Sequence, residues 1–202
     1  SFRNRVMFPI IDIRGNVIAF GGRVLDDSKP KYLNTNDTVV YKKSRNLFAF
    51  GFAKAAGKRK LILTEGYMDT IAVHAAGFEN AVATCGTALT AEQARMMAGI
   101  ADEVIIAYDS DGPGQAATRR AMNILSQAGL TSRVLKMEGA KDPDEYIKKF
   151  GAARFGVLLD QSENVMDYQL EELLRQYDIT TSNGKIEYLR RSAALLAEVE
   201  RQ

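Results

Sequence analysis

A chain of 202 residues with 46% hydrophobic and 26% charged side chains has an ordinary globular make-up and is long enough to bury a substantial core. No run of about 18 apolar residues occurs, which excludes a membrane-spanning helix, and the opening Ser1-Phe2-Arg3-Asn4-Arg5 lacks the apolar stretch of a signal peptide. A single cysteine, Cys85, and a single histidine, His74, exclude an internal disulfide and a cysteine/histidine zinc site within one copy, and no nucleophile motif accompanies the imidazole. The net charge of +2 hides an asymmetry: residues 1–60 hold 13 Lys/Arg against 4 Asp/Glu, a balance of +9, and residues 61–202 hold 14 against 21, a balance of −7. A basic front half points to a polyanionic partner, and an acidic back half with clustered carboxylates points to a divalent cation. A solvated dipolar surface is the alternative. The absence of an initiator Met reads as a piece cut from a longer protein.

Residues 5–13 and 17–25 predict two strands around the turn Arg14-Gly15-Asn16, and Gly21-Gly22 predicts a bulge or a close approach in the second. Residues 26–38 read as a loop, 39–43 as a short strand and 47–56 as a short helix. From Lys60 the pattern changes. Strands are expected at 61–64, 81–84, 103–108 and 132–137, with helices at 66–76, after Thr90, at 114–128 and from Asp144 to Phe150. Thr90 and Gln93 have the spacing of a capping box. Strands alternating with helices predict an α/β fold with a mostly parallel sheet covered on both faces. Beyond residue 151 the strand signal ends, and helices are expected at 163–177 and 183–201. The domain reading is a basic N-terminal α+β subdomain over 1–59, an α/β domain over 60–150 and a helical appendage over 151–202.

The acidic residues fall at informative places. Glu65 follows the strand 61–64, and Asp109 follows the strand 103–108, with Asp111 two residues on. Both groups should sit at the rim where such sheets place ligands. Mg²⁺ prefers a few carboxylates, retained waters and substrate phosphates. The competing explanation is turn capping by Asp109 and Asp111 and a surface charge at Glu65. Gly112-Pro113-Gly114 opens a helix whose free N–H groups would suit phosphate. Asp142-Pro143-Asp144 returns to the same rim after the next strand, and helix capping explains Asp142 equally well. Lys58-Arg59-Lys60 reads as a solvated edge or a distal contact, His74 as structural and Cys85 as unreactive.

RNRVMFPI at 3–10, VIAFGGRVL at 17–25, PKYLN at 30–34, EGYMD at 65–69 and YDSDGPG at 108–114 together resemble the catalytic core of the bacterial DNA primases, over roughly residues 1–160 and more weakly beyond. EGYMD with a later DxD resembles the metal signature of the toprim fold, shared by primases, topoisomerases and some nucleases. Ser110 stands where many members have glycine, and Asn36 where a proline is common. The resemblance implies a toprim-type sheet and DNA-directed RNA synthesis from nucleoside triphosphates. It implies Mg²⁺, with Mn²⁺ as the alternative, on Glu65, Asp109 and Asp111, with Asp142 and Asp144 as an accessory pair. It implies a nucleic-acid and nucleotide groove of Arg3, Arg5, Arg23, Lys31, Asn34, Lys43 and Arg45.

Implied partners are a single-stranded DNA template and an RNA primer–DNA hybrid, engaged by a monomeric chain in the cytoplasm at the replication fork or nucleoid, away from any membrane. Full-length members also carry an N-terminal zinc domain and a C-terminal helicase-binding domain. Neither signature is read here, so no zinc is expected, and the replicative helicase would be reached through a domain absent from this chain. Two other readings stay open: another toprim enzyme, although none of the eight Tyr stands out as a topoisomerase nucleophile, and a non-catalytic single-stranded DNA-binding module.

Overall fold

A computed structural model describes residues 2–199. The chain divides into two compact units, one ending at Ser162 and one beginning at Glu163. In the first, β1 (Arg5–Ile11) and β2 (Val17–Val24) form an antiparallel hairpin. Its turn is held by Asp12, whose carboxylate accepts from the N–H groups of Arg14 and Asn16, both at 2.9 Å, with Gly15 at φ +87°. The bulge lies at Ile10/Ile11. Gly21 instead marks a close approach, because a Cβ there would stand 2.5 Å from the Tyr67 ring.

Three local expectations fail. A third strand, β3 (Tyr32–Asn34), pairs with β2 inside the segment read as loop. Its three residues carry too little pattern to announce a strand, and the pairing is supplied by β2. No strand forms over 39–43. Thr38 Oγ1 accepts from the N–H of Val40 and Tyr41, and Asp37 accepts from that of Lys43, so side chains take the donors a ladder would use. Lys43–Arg45 makes a single 3-10 turn. β4 (Leu47–Phe48) and α1 (Phe50–Ala55) follow where one longer helix was expected.

The main sheet of this unit is built from β5 (Lys60–Thr64), α2 (Tyr67–Ala75), β6 (Ala81–Thr84), α3 (Ala91–Ala98), β7 (Glu103–Ala107), α4 (Gly112–Gln127) and β8 (Thr131–Val134). The strand order is β4-β6-β5-β7-β8, parallel apart from β4. Leu61, Ile62, Leu63, Ile105 and Ile106 are fully buried, as expected for strands covered on both faces. The capping box of α3 is present, with Gln93 N–H donating to Thr90 Oγ1 and Thr90 N–H to Gln93 Oε1. α5 (Pro143–Phe150) and α6 (Ala152–Asp160) complete the unit. α5 ends at Phe150 as expected, whereas α6 was not anticipated; the break between them falls at Gly151, whose φ of +85° favours glycine.

From β5 the chain moves to β6 on one side, and from β7 to β8 on the other. The neighbours β5 and β7 therefore flank a switch point, where α/β sheets leave a crevice at their C-terminal ends. Glu65 and Asp109 stand on its two sides. In the second unit, α7 (Val165–Leu174) is capped by Asn164, which accepts from Asp167 N–H at 2.9 Å, and packs against α8 (Ser182–Val199). The last expected helical residues, 200 and 201, lie outside the described residues. No described helix is long and apolar enough to cross a membrane.

Candidate active site

β5 ends at Thr64, whose hydroxyl meets that of Thr70 at 2.8 Å and fixes the start of α2 over the strand end. Glu65 occupies the intervening turn. Across the switch point the backbone N–H of Asp109 donates to Glu65 Oε1 at 3.0 Å. Gly114 packs directly beneath: a Cβ there would lie 2.0 Å from the Asp109 carbonyl oxygen and 3.0 Å from Glu65 Oε1. Ser110 N–H donates to the Lys141 carbonyl at 2.9 Å, which ties the loop after β7 to the loop before α5.

These loops surround a cleft of about 650 Å³. Glu65, Asp109, Asp142 and Asp144 all line it. Asp111 does not; it caps α4 by accepting from Gly114 N–H at 2.8 Å. Asp142 also caps a helix, accepting from Glu145 N–H at 2.7 Å, and Asp144 pairs with Lys148 at 2.6 Å. Both aspartates therefore serve α5 while facing the cleft.

Of the basic residues singled out from the sequence, Arg23 and Lys31 reach the cleft, as does Asn34. Arg23 Nε is buried with no acceptor among the described residues, and its guanidinium lies 5.9 Å from the centre of the Tyr32 ring. Asn34 Oδ1 accepts from Tyr67 OH at 2.8 Å. Arg3, Arg5, Lys43 and Arg45 are not among the cleft residues. Arg5 donates to the carbonyls of Gly22, Pro30 and Lys31 and braces the segment that leads through Lys31 into β3. The Lys43 carbonyl receives Gln93 Nε2 at 2.9 Å.

Sequence reasoning passed over Asp69, Lys141 and Lys148. Asp69 sits in the first turn of α2 and faces the same cleft. Burial and the neighbouring charges of Asp142 and Asp109 push its carboxyl up to about 7. Its place in EGYMD was the available signal, but a carboxylate there also reads as a favourable charge at a helix start. Glu65 is raised by burial and by Asp109 and Asp111, against the hydrogen bond from Asp109 N–H. Asp109 is raised by burial, Asp142 and Asp111, and eased by Lys141 and Lys31. Three carboxyls displaced the same way describe a site short of positive charge, and their all-oxygen donors suit a hard cation. Among the described residues no three metal-binding side chains already converge on one point, and Mg²⁺ does not require an all-protein cage.

A consequence for pH follows. A carboxyl raised to about 7 adds stability below the unfolded value and loses it as pH climbs through the folded one. In EDTA, wild-type stability should therefore fall between about pH 4 and pH 7, by a few kcal/mol at most. Asp69→Asn should flatten much of that slope. Thermal midpoints across the range check this; superimposable profiles would show that Asp69 is not held protonated.

Fold and cleft define an α/β domain of the toprim class, with carboxylates and cationic side chains gathered at a switch point. The family model "Toprim-like" matches residues 62–147, and "DNA primase catalytic core, N-terminal domain" matches residues 1–54. The chain is 42% identical over 200 residues to the DNA primase of Clostridium acetobutylicum, covering 98% of this chain and 34% of that protein. It is 41% identical over 204 residues to that of Neisseria meningitidis serogroup A, covering 98% and 35%. A DNA primase domain from Pseudomonas aeruginosa superposes with TM-score 0.84 at 36% identity, covering 97% of this chain and 63% of that one. The chain belongs to the bacterial DNA primase family, and it spans about a third of the length of the curated relatives it matches.

One expectation is overturned. "DnaB-helicase binding domain of primase" matches residues 166–201, so the helicase-binding signature read as absent falls on the segment of α7 and α8. An amphipathic helix pair shows its packing period to inspection and no spaced motif, which is why the segment read only as an appendage.

Proposed function

We propose that this chain is the nucleotidyl-transferring core of a primase, an enzyme that copies single-stranded DNA into short RNA primers. The observation that carries the reading is the convergence of Glu65, Asp109, Asp142 and Asp144 with Arg23 and Lys31 on one cleft at the switch point. In the reaction, the 3′-hydroxyl of one nucleotide forms a bond to the α-phosphorus of the next. The bond from that phosphorus to pyrophosphate breaks, and the hydroxyl proton passes to cleft water. No covalent intermediate with the protein is needed, because positioning and charge stabilisation supply the acceleration.

Glu65, Asp109 and Asp111 would hold one Mg²⁺, and Asp142 and Asp144 a second or its water shell; the ions would neutralise charge building on the attacking and leaving oxygens. Arg23 offers a buried donor to phosphate, and Lys31 a charge beside Asp109. Asp111 and Asp142 are presented by the helix starts they cap, so their carboxylates are fixed in position. Residues 166–201 would dock the replicative helicase and bring the cleft to the replication fork. The test is synthesis of labelled RNA from nucleoside triphosphates on single-stranded DNA with Mg²⁺. Template-dependent product lost on chelation is expected; metal-dependent nicking or relaxation of DNA without RNA synthesis would replace this reading with another toprim activity.

A further inference from the structure

Beside the main cleft lies a second pocket of about 370 Å³, within the size range of small-molecule sites. Glu65, Thr84 and Gly86 line both, so the two chambers meet at the Glu65 carboxylate. They differ in character. The cleft is dominated by charged groups, whereas the second pocket is walled by Leu89 and one face of α4: Ala117, Ala121 and Ile124. Thr84 and Thr87 supply hydroxyls. At the exposed side stands Arg120, which forms no ion pair among the described residues.

The helix gives the pocket a direction. Gly114 touches Glu65, as a Cβ there would be 3.0 Å from Oε1. At about 1.5 Å of rise per residue, Ala117 lies ~4.5 Å farther along the axis, Arg120 ~9 Å and Ile124 ~15 Å. The chamber thus runs from a carboxylate at the reacting end, past small side chains, to a free guanidinium. A nucleoside 5′-phosphate carries those groups: a ribose with its 3′-hydroxyl on one edge and its 5′-phosphate, an anion suited to arginine, on the other, and a flat base with apolar faces projecting beside them.

We propose that this pocket seats the acceptor nucleotide, the one whose 3′-hydroxyl attacks, while the triphosphate of the incoming nucleotide occupies the cleft. The assignment rests on the nucleotidyl-transfer reading above. It gives each reactant its own chamber, with the α-phosphorus and the attacking oxygen meeting at Glu65. The same chemistry describes two sources, the first nucleotide of a new primer and the 3′-terminal nucleotide of a growing one.

The experiment separates acceptor from incoming nucleotide. Dinucleotide synthesis on a template with two different templating bases allows each concentration to be varied alone, and a second arm extends a preformed RNA primer by one nucleotide. Ala117→Leu fills the pocket at a helix position that accepts leucine. It should raise the KM for the acceptor roughly tenfold, about 1.4 kcal/mol, and leave the KM for the incoming triphosphate unchanged. A rise in one arm alone assigns the pocket to that source. An unchanged acceptor KM in both arms overturns the proposal. Arg120→Ala, at an exposed position, repeats the test should Ala117→Leu fold poorly, and should weaken a 5′-phosphorylated acceptor more than one lacking the phosphate. Binding is read independently of catalysis from the methyl resonances of Ala88, Ala117 and Ile124 on titration with guanosine 5′-monophosphate. Shifts there support the pocket even if the chain makes no RNA, a result that would count against the primase reading alone. Unmoved resonances reject the pocket whatever the activity.

Discussion

Asp109→Asn should leave a folded protein whose primer synthesis falls at least ~10²-fold, the usual cost of removing one group that stabilises charge in a transition state. The substitution keeps the side chain's shape. It also keeps the backbone N–H that Glu65 accepts, because that donor belongs to the main chain. What it removes is a charge crowded by Asp142 and Asp111 and held above its ordinary range by burial and by them. The sign for stability is therefore the reverse of the sign for activity. A raised carboxyl favours folding in full below its unfolded pKa, and that contribution is lost as pH climbs through the folded value. At neutral pH in EDTA the Asn variant should melt no lower than wild type, and Mg²⁺ should raise its midpoint less, since a ligand stabilises the state it binds. Activity, midpoint and the Mg²⁺ increment form one test. A folded variant that retains near-normal synthesis and the full Mg²⁺ increment removes Asp109 from the mechanism.

The sequence carried some of this site plainly and some of it not at all, for physical reasons. Glu65 and Asp109 were legible because each follows an apolar run of strand length, and parallel strands deliver the residues after them to one rim. Asp69 was not, because a carboxylate in a first helical turn has an ordinary use. The basic half was legible as a charge and not as a direction: Arg23 and Lys31 face the cleft, while Arg5 spends its donors on three carbonyls. Lys43 and Arg45 sit on a 3-10 turn whose place depends on Gln93 and Asp37, neither of which periodicity links to it. Main-sheet strands announced themselves through continuous burial. β3 did not, since its three residues owe their pairing to β2. Asp111 and Asp142 each cap a helix, as the capping explanation had it, and the cap fixes where the carboxylate is presented.

Gly114→Ala should be the most damaging small substitution in the site, and it should act with the wrong sign for a helix. At an ordinary helical position, replacing Gly with Ala stabilises by about 1 kcal/mol. Gly114 lies in the first turn of α4 and has no need of positive φ, so its requirement is space. The added methyl would stand 2.0 Å from the carbonyl oxygen of Asp109, 2.8 Å from its carbonyl carbon and 3.0 Å from Glu65 Oε1. The first two are backbone atoms at a strand end and cannot swing aside as a flexible side chain would. Relief requires α4 to back away from β7 or the Asp109 loop to lift, and overpacking of this kind costs ~1–3 kcal/mol or more. Either movement stretches the 3.0 Å bond from Asp109 N–H to Glu65, the contact that joins the two sides of the switch point. Because a misplacement on the order of 1 Å can cost ~10²-fold in rate, synthesis should collapse even below the melting temperature. Thermal unfolding and primer synthesis at a temperature where the variant is fully folded separate the two effects. A midpoint equal to or above wild type would mean that α4 does not press on the Asp109 carbonyl. A lowered midpoint with full activity in the folded state would mean that the contact between Asp109 and Glu65 supports the fold and is dispensable for the chemistry.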